Sequence, residues 1–295
     1  GSQYLNSSAT GRYQDHLIEE LVPHVDRRFR TLAERAHRGI AGKSSGGFGA
    51  LMMGMRHAGT FGAVASHSGD MGFDYCYRVD VPRFCSLLQE AGGLERWFEG
   101  FTRKVQKGKD DFLALNILAM AAAYSPNPAA PLGIDLPCDL ETGEFRGDVW
   151  ARWLAFDPLL IAERHAAALH SLELLYFDCG KHDEFHLHHG ARQLGRRLEA
   201  LGVRHQREEF DDGRWKEFRT ALLTRLAEQS VRGVDIGALL AYAKELKDKE
   251  LLAACAVKAW KVSKDIPAAA HGRVFLTLSL ELQSQLKDYL QADRA

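Results

Sequence analysis

The apolar positions of this chain change period several times, and each change marks an element boundary. Over residues 13–30, Leu17, Leu21 and Val25 recur at fours with Ile18, Val22 and Phe29 beside them, which predicts a helix. Pro23 falls inside that stretch and predicts a kink or break there. A short apolar segment at residues 37–41 leads into a glycine-rich turn, residues 42–47, and then a helical pattern over residues 48–57. Residues 61–67 (FGAVASH) carry the small and β-branched side chains of a buried strand. Strand, tight turn, helix, strand is the rhythm of an α/β domain with a parallel sheet.

The pattern then becomes helical for a long stretch. Helices are expected around residues 81–91 and 110–123, followed by a proline-rich loop (SPNPAAPLGIDLPCD) and a segment carrying Trp150 and Trp153. This is too long for a simple connection in a compact domain, so residues 71–169 are expected to form an inserted helical cap. The two tryptophans fit core packing better than the lining of an acyl pocket. Sheet signals return with a strand at residues 171–179 (SLELLYFDC), a helix at 184–201 and a strand at 205–210. Beyond that, Leu239, Ala243 and Leu246 share one helical face, as do Phe275, Leu278, Leu282, Leu286 and Tyr289. Residues 214–295 are therefore expected to be an all-α extension of an α/β domain at 1–213.

Composition narrows the function classes. With 46% hydrophobic and 26% charged residues, the chain of 295 residues can bury a sizeable core. A net charge of -1 offers no electrostatic case for nucleic acid or an anionic membrane surface, and no apolar run is long enough to span a bilayer. The five cysteines are scattered without a CxxC, which reads as reduced thiols and a cytoplasmic setting.

The candidate chemistry sits in RGIAGKSSGGFGALM. Gly42-Lys43-Ser44-Ser45-Gly46 fits G-x-S-x-G, with Ser44 in the middle. A strand-to-helix turn this sharp strains the serine's dihedrals and crowds the backbone, so glycines must flank it. It lifts the hydroxyl out of the sheet and aims the next N–H, that of Ser45, at a developing oxyanion. A phosphate loop is disfavoured, because no G-x-x-x-x-G-K-[ST] is present. A nucleophilic serine needs a base, and the base an orienting carboxylate, in the order Ser, acid, His. Asp183 stands just past a predicted strand, with Glu184 and Asp178 as neighbouring alternatives. The histidine slot after the last strand holds Arg214, whose guanidinium cannot accept a proton at neutral pH. His182 and His186, in KHDEFHLHHG, are the candidate substitute bases. On a helix His182, His186 and His189 would share a face, a spacing that can suit a metal, but Asp183 has the better assignment and no metal is expected.

The stretches GKSSGGFGALM, FGAVASHSGD, LLYFDCGKHDEF and HQREEFDDG closely resemble the putative esterase family. That group of α/β-hydrolases includes esterase D, S-formylglutathione hydrolase and enterochelin esterase-like enzymes. The resemblance runs from residue 1 to about Gly213. It implies an α/β-hydrolase fold, a mostly parallel sheet with helices on both faces and a helical cap, and a carboxylesterase activity on a small ester with no cofactor. Carried over by position, Ser44 matches the nucleophile, Ser45 the oxyanion donor and Asp183 the triad acid. Two departures stand out. Members continue the FDDG stretch with His where this chain has Arg214. Members also begin upstream, with strands and a His-Gly loop that gives a second oxyanion donor, whereas this sequence opens in what resembles the family interior. An incomplete sheet would leave an edge to be covered by the helical extension, by a second copy or by a partner chain. The rival expectation is a catalytically inactive scaffold whose helical tail mediates association.

Overall fold

The structure is a computed structural model that describes residues 2–211. All of them belong to one compact unit, Gly1–Arg214. The expected all-α extension at 214–295 and Arg214 itself lie outside the described residues.

A two-strand hairpin, β1 (Asn6–Ser7) and β2 (Gly11–Arg12), opens the chain. The helix predicted from the fours pattern follows as α1 (Tyr13–Asp15), a π-helical stretch His16–Leu21 and α2 (Val22–Arg28). The path is continuous through Pro23. The wider π-turns just before the proline accommodate its missing N–H and its ring, so the helix changes gauge instead of breaking.

The central sheet has the order β3-β4-β5-β6, all parallel: β3 (Gly39–Lys43), β4 (Ala63–His67), β5 (Leu174–Gly180) and β6 (Gln206–Phe210). This is the α/β class expected. Helix α3 (Ser45–Arg56) joins β3 to β4, and α11 (Leu187–Ala200) joins β5 to β6. Period-two alternation on β4 puts Val64 and Ser66 into the core, and Gly54 and Gly47 of α3 pack directly on them. Every residue of α3 from Gly47 to Met55 is buried. Ala63, Ala65 and His67 point to the other, half-buried face. β3 ends the strand order on one side.

Between β4 and β5 the described chain has no named strand. It runs through α4 (Phe73–Cys76), α5 (Val81–Glu90), α6 (Leu94–Arg103), α7 (Lys109–Tyr124), α8 (Gly147–Leu154), α9 (Pro158–Ile161) and α10 (Ala166–Ser171). Helix α9 packs on both α3 and α11, and α10 packs on α3, so the insertion shares the core of the sheet. Trp150 and Trp153 are core residues here. Trp153 is fully buried, packs edge-on against Tyr77 and Tyr124 and tilted against Trp150, and donates its indole N–H to Ser125 Oγ at 2.9 Å.

One reading of the sequence is corrected. Cys85 of α5 is bonded to Cys138, so the cysteines are not all reduced. Cys76 and Cys179 are unbridged and buried, and Cys255 lies outside the described residues. The two bonded residues are 53 positions apart, and only the fold brings them together.

Candidate active site

The turn between β3 and α3 is shorter than the glycine pattern suggested. The strand runs to Lys43 and the helix starts at Ser45, leaving Ser44 alone at the corner. Ser44 has φ 58° and ψ -125°, a conformation an L-residue adopts only when its surroundings force it. Two hydrogen bonds do so: Ser44 N–H donates to the His67 carbonyl at 2.9 Å, and its own carbonyl accepts from Phe48 N–H at 2.9 Å. A side chain on Gly42 would collide with the Gly46 backbone, and one on Gly47 would come within 2.8 Å of Gly69 Cα. The glycines are therefore steric requirements of the corner. The first N–H groups of α3, beginning with that of Ser45, have no carbonyl one turn back to bond, and the helix dipole adds positive potential there.

Asp183 lies three residues beyond the end of β5, at the same carboxyl edge of the sheet as Ser44. Only 3% of it is exposed, and Oδ1 accepts from Phe185 N–H at 2.9 Å and Leu187 N–H at 3.2 Å. These bonds hold the carboxyl rigidly and start α11. Glu184, the neighbouring alternative, is exposed.

The same turn separates His182 from the other histidines of the stretch, while the His188 and His189 rings lie 4.0 Å apart. His182 is exposed and its Nε2 pairs with Asp211 Oδ1 at 3.1 Å. His186 takes a left-handed conformation, φ 59°, and its ring lies 6.4 Å from those of His188 and His189. His188 is buried, and burial, with His189 and Arg192 nearby, pushes its pKa below the usual histidine range. Among the described residues no group of His, Cys, Asp or Glu is arranged to hold a metal ion.

Two polar clusters were missed by sequence reasoning, one built by strand register and one by the loops beside the elbow. On the half-buried face, His67 Nδ1 lies 2.7 Å from Asp178 Oδ2, its partner in the β4–β5 register. The Tyr176 hydroxyl reaches the same oxygen at 3.0 Å and Glu208 Oε2 at 3.1 Å. Burial first, and then the charges of Asp178 and Glu208, push the Tyr176 phenol pKa up. Asp178, weighed above as a possible triad acid, is thus engaged within the sheet. Beside the elbow, Asp70 Oδ2 accepts from Tyr77 Oη at 2.8 Å, Ser45 Oγ at 3.2 Å and Gln3 Nε2 at 3.3 Å.

The model of the family described as "Putative esterase" matches residues 5–228, most of the chain. The chain belongs to this esterase family. The match extends past Gly213, where the motif resemblance ends. Esterase Rv1288 and Esterase MT1326, from two strains of Mycobacterium tuberculosis, are each 46% identical over 78 residues. That segment is 26% of this chain and 17% of either relative, so the chain matches only a small part of their length. Among solved structures, an S-formylglutathione hydrolase from Staphylococcus aureus aligns at a TM-score of 0.43 and 15% identity, over 77% of this chain and 66% of its own. A fluorophosphonate-binding serine hydrolase of the same organism aligns at 0.44 and 16%, over 76% and 67%. Among the described residues no helix is long and apolar enough to cross a membrane.

Proposed function

We propose that this member of the esterase family is a serine carboxylic-ester hydrolase in which Ser44 is the nucleophile, Ser45 N–H stabilises the oxyanion and Asp183 is the acid of the triad. The observation that carries the reading is the strained corner. A serine held at φ 58° between a strand and a helix, walled by glycines, is costly to build and puts its hydroxyl at the mouth of a helix N-terminus. In the reaction the Ser44 oxygen attacks the ester carbonyl, and the C=O electrons move onto oxygen beside the Ser45 N–H. As the C–O bond breaks, the serine proton passes through solvent water to the departing alkoxide, which leaves as the alcohol; a second water then adds to the acyl carbonyl, releasing the acid and returning the proton to Ser44.

Turnover is slow in this reading. Arg214 stands where the base is expected, and a general base contributes about 10²–10⁴-fold. The residual rate comes from the oxyanion donors and binding. The Cys85–Cys138 bond weighs against the cytoplasmic setting expected from the scattered cysteines, because disulfides persist in oxidising compartments.

The test is hydrolysis of a short p-nitrophenyl ester by the chain, by Ser44→Ala and by Arg214→His. The expected result is slow turnover that Ser44→Ala abolishes and that Arg214→His raises by about 10²-fold. Equal, background rates for all three would leave the inactive-scaffold reading in its place.

A further inference from the structure

We infer that Asp70 is a positioning residue for the oxyanion donor, acting through Ser45; the inference rests on the esterase reading above. Asp70 follows β4 and is 5% exposed. Its Oδ2 receives three side-chain donors from three distant segments: Gln3 of the N-terminal turn, Ser45 of the elbow and Tyr77 of the insertion. Gln3 Nε2 also reaches Tyr77 Oη at 3.2 Å, which closes the ring of contacts. Three donors converging on one oxygen require an acceptor there. The Asp70 carboxyl oxygen is that acceptor for all three.

The surroundings are built to keep that carboxylate in place. Gln3 is 1% exposed and holds φ 50°, and Tyr4 beside it holds φ 55°. Two consecutive non-glycine residues in the left-handed region carry strain that the fold must offset. Tyr4 is wedged against Gly49 of α3, where a side chain would come within 2.6 Å of its ring. The N-terminal turn is thus clamped to the helix that carries the oxyanion donor. Burial first, and then the Asp70 charge, push the Tyr77 phenol pKa well up, so Tyr77 stays a donor at any working pH. Asp70 also lies beside the N-terminus of α3, whose dipole favours a negative charge.

The consequence is mechanical. Ser45 is the first residue of α3, and in the proposed reaction its N–H is the oxyanion donor. Fixing its side chain to a buried carboxylate fixes the orientation of that peptide before substrate arrives. Interactions realised only in the transition state act on kcat and leave KM unchanged. A misplaced donor costs roughly 10- to 100-fold.

The experiment compares the full chain with Asp70→Asn, Ser45→Ala, the double variant and Tyr77→Phe, using p-nitrophenyl acetate, with Ser44→Ala as the background. Asp70→Asn is expected to lower kcat by roughly 10- to 100-fold with KM within about twofold. The double variant should be no slower than Asp70→Asn alone, because both substitutions cut the same link. Wild-type kcat in Asp70→Asn, or losses that multiply in the double variant, would overturn the positioning role. Should Asp70→Asn fail to fold, Tyr77→Phe and Ser45→Ala carry the test, the first with a smaller kcat loss at unchanged KM. Unchanged kcat in both would again overturn it. Wild-type rates equal to those of Ser44→Ala would instead bring down the esterase reading, and this inference with it.

Discussion

At Asp157 one carboxylate holds the starts of two helices. Oδ1 accepts from Gly72 N–H at 2.9 Å and Leu159 N–H at 3.0 Å, and Oδ2 from Phe73 N–H at 2.7 Å. Asp157 is 1% exposed, so this carboxylate satisfies donors that water does not reach freely. Burial raises its pKa, and the three N–H bonds oppose that shift. Asp157→Ala should lower unfolding stability by about 3 kcal/mol in urea titration, because it orphans buried amides. A change below about 1 kcal/mol would mean water replaces the carboxylate. Residue by residue, the legibility of the sequence was uneven. Ser44 was legible because the constraint is local: G-x-S-x-G is the signature of a crowded corner, whatever lies elsewhere in the chain. Asp183 was legible because it follows a strand with a clear apolar run. Asp70 was not, since its donors sit at positions 3, 45 and 77 and no local pattern announces them. His67 and Asp178 meet only through the β4–β5 register, which period-two patterning cannot supply until the strand order is known.

Among elements, α7 shows how the insertion is anchored. Asp111 in its first turn accepts from Gly108 N–H at 2.7 Å and from Lys104 Nζ at 2.8 Å. The Lys104 hydrogen bond first, and then the Gly108 N–H, hold its pKa below the ordinary carboxylate value. A depressed folded pKa contributes stability that is present above the unfolded value of about 3.9 and is lost as pH falls through the folded one. Asp111→Asn should therefore cost stability at pH 7 and flatten the loss below pH 4. Parallel acid-unfolding curves for the two proteins would contradict this. The elements themselves were mostly legible. The four strands of the central sheet, α3, α5, α7 and α11 fall where periodicity put them, to within a few residues, whereas the β1–β2 hairpin carries no period that marks it. Helix α6 goes beyond the expected elements, although Leu94, Trp97, Phe98 and Phe101 carry its period, with Leu94 and Trp97 buried. The π-turns before Pro23 were not legible, because proline chemistry predicts a disturbance there without specifying its form.

For the molecule as a whole, the sheet and the insertion form one core, and the Cys85–Cys138 bond ties α5 to the loop after α7. Closing a loop of 53 residues restricts the unfolded chain by about 4 kcal/mol in the chain-entropy account. Titration of denatured, unreduced protein should show two thiols fewer than the reduced protein, and Cys85→Ser/Cys138→Ser should unfold at lower urea. Equal thiol counts would remove the bond and its contribution. Sequence spacing could not have paired these cysteines, since connectivity follows the fold. The central claim is that Ser44 is a nucleophile. The most direct measurement treats the chain with an organophosphonate that esterifies nucleophilic serines and locates the adduct by peptide mass spectrometry. The account predicts slow formation of one adduct, on Ser44, absent from Ser44→Ala. An unmodified Ser44 peptide, or an adduct on a different serine, would contradict it.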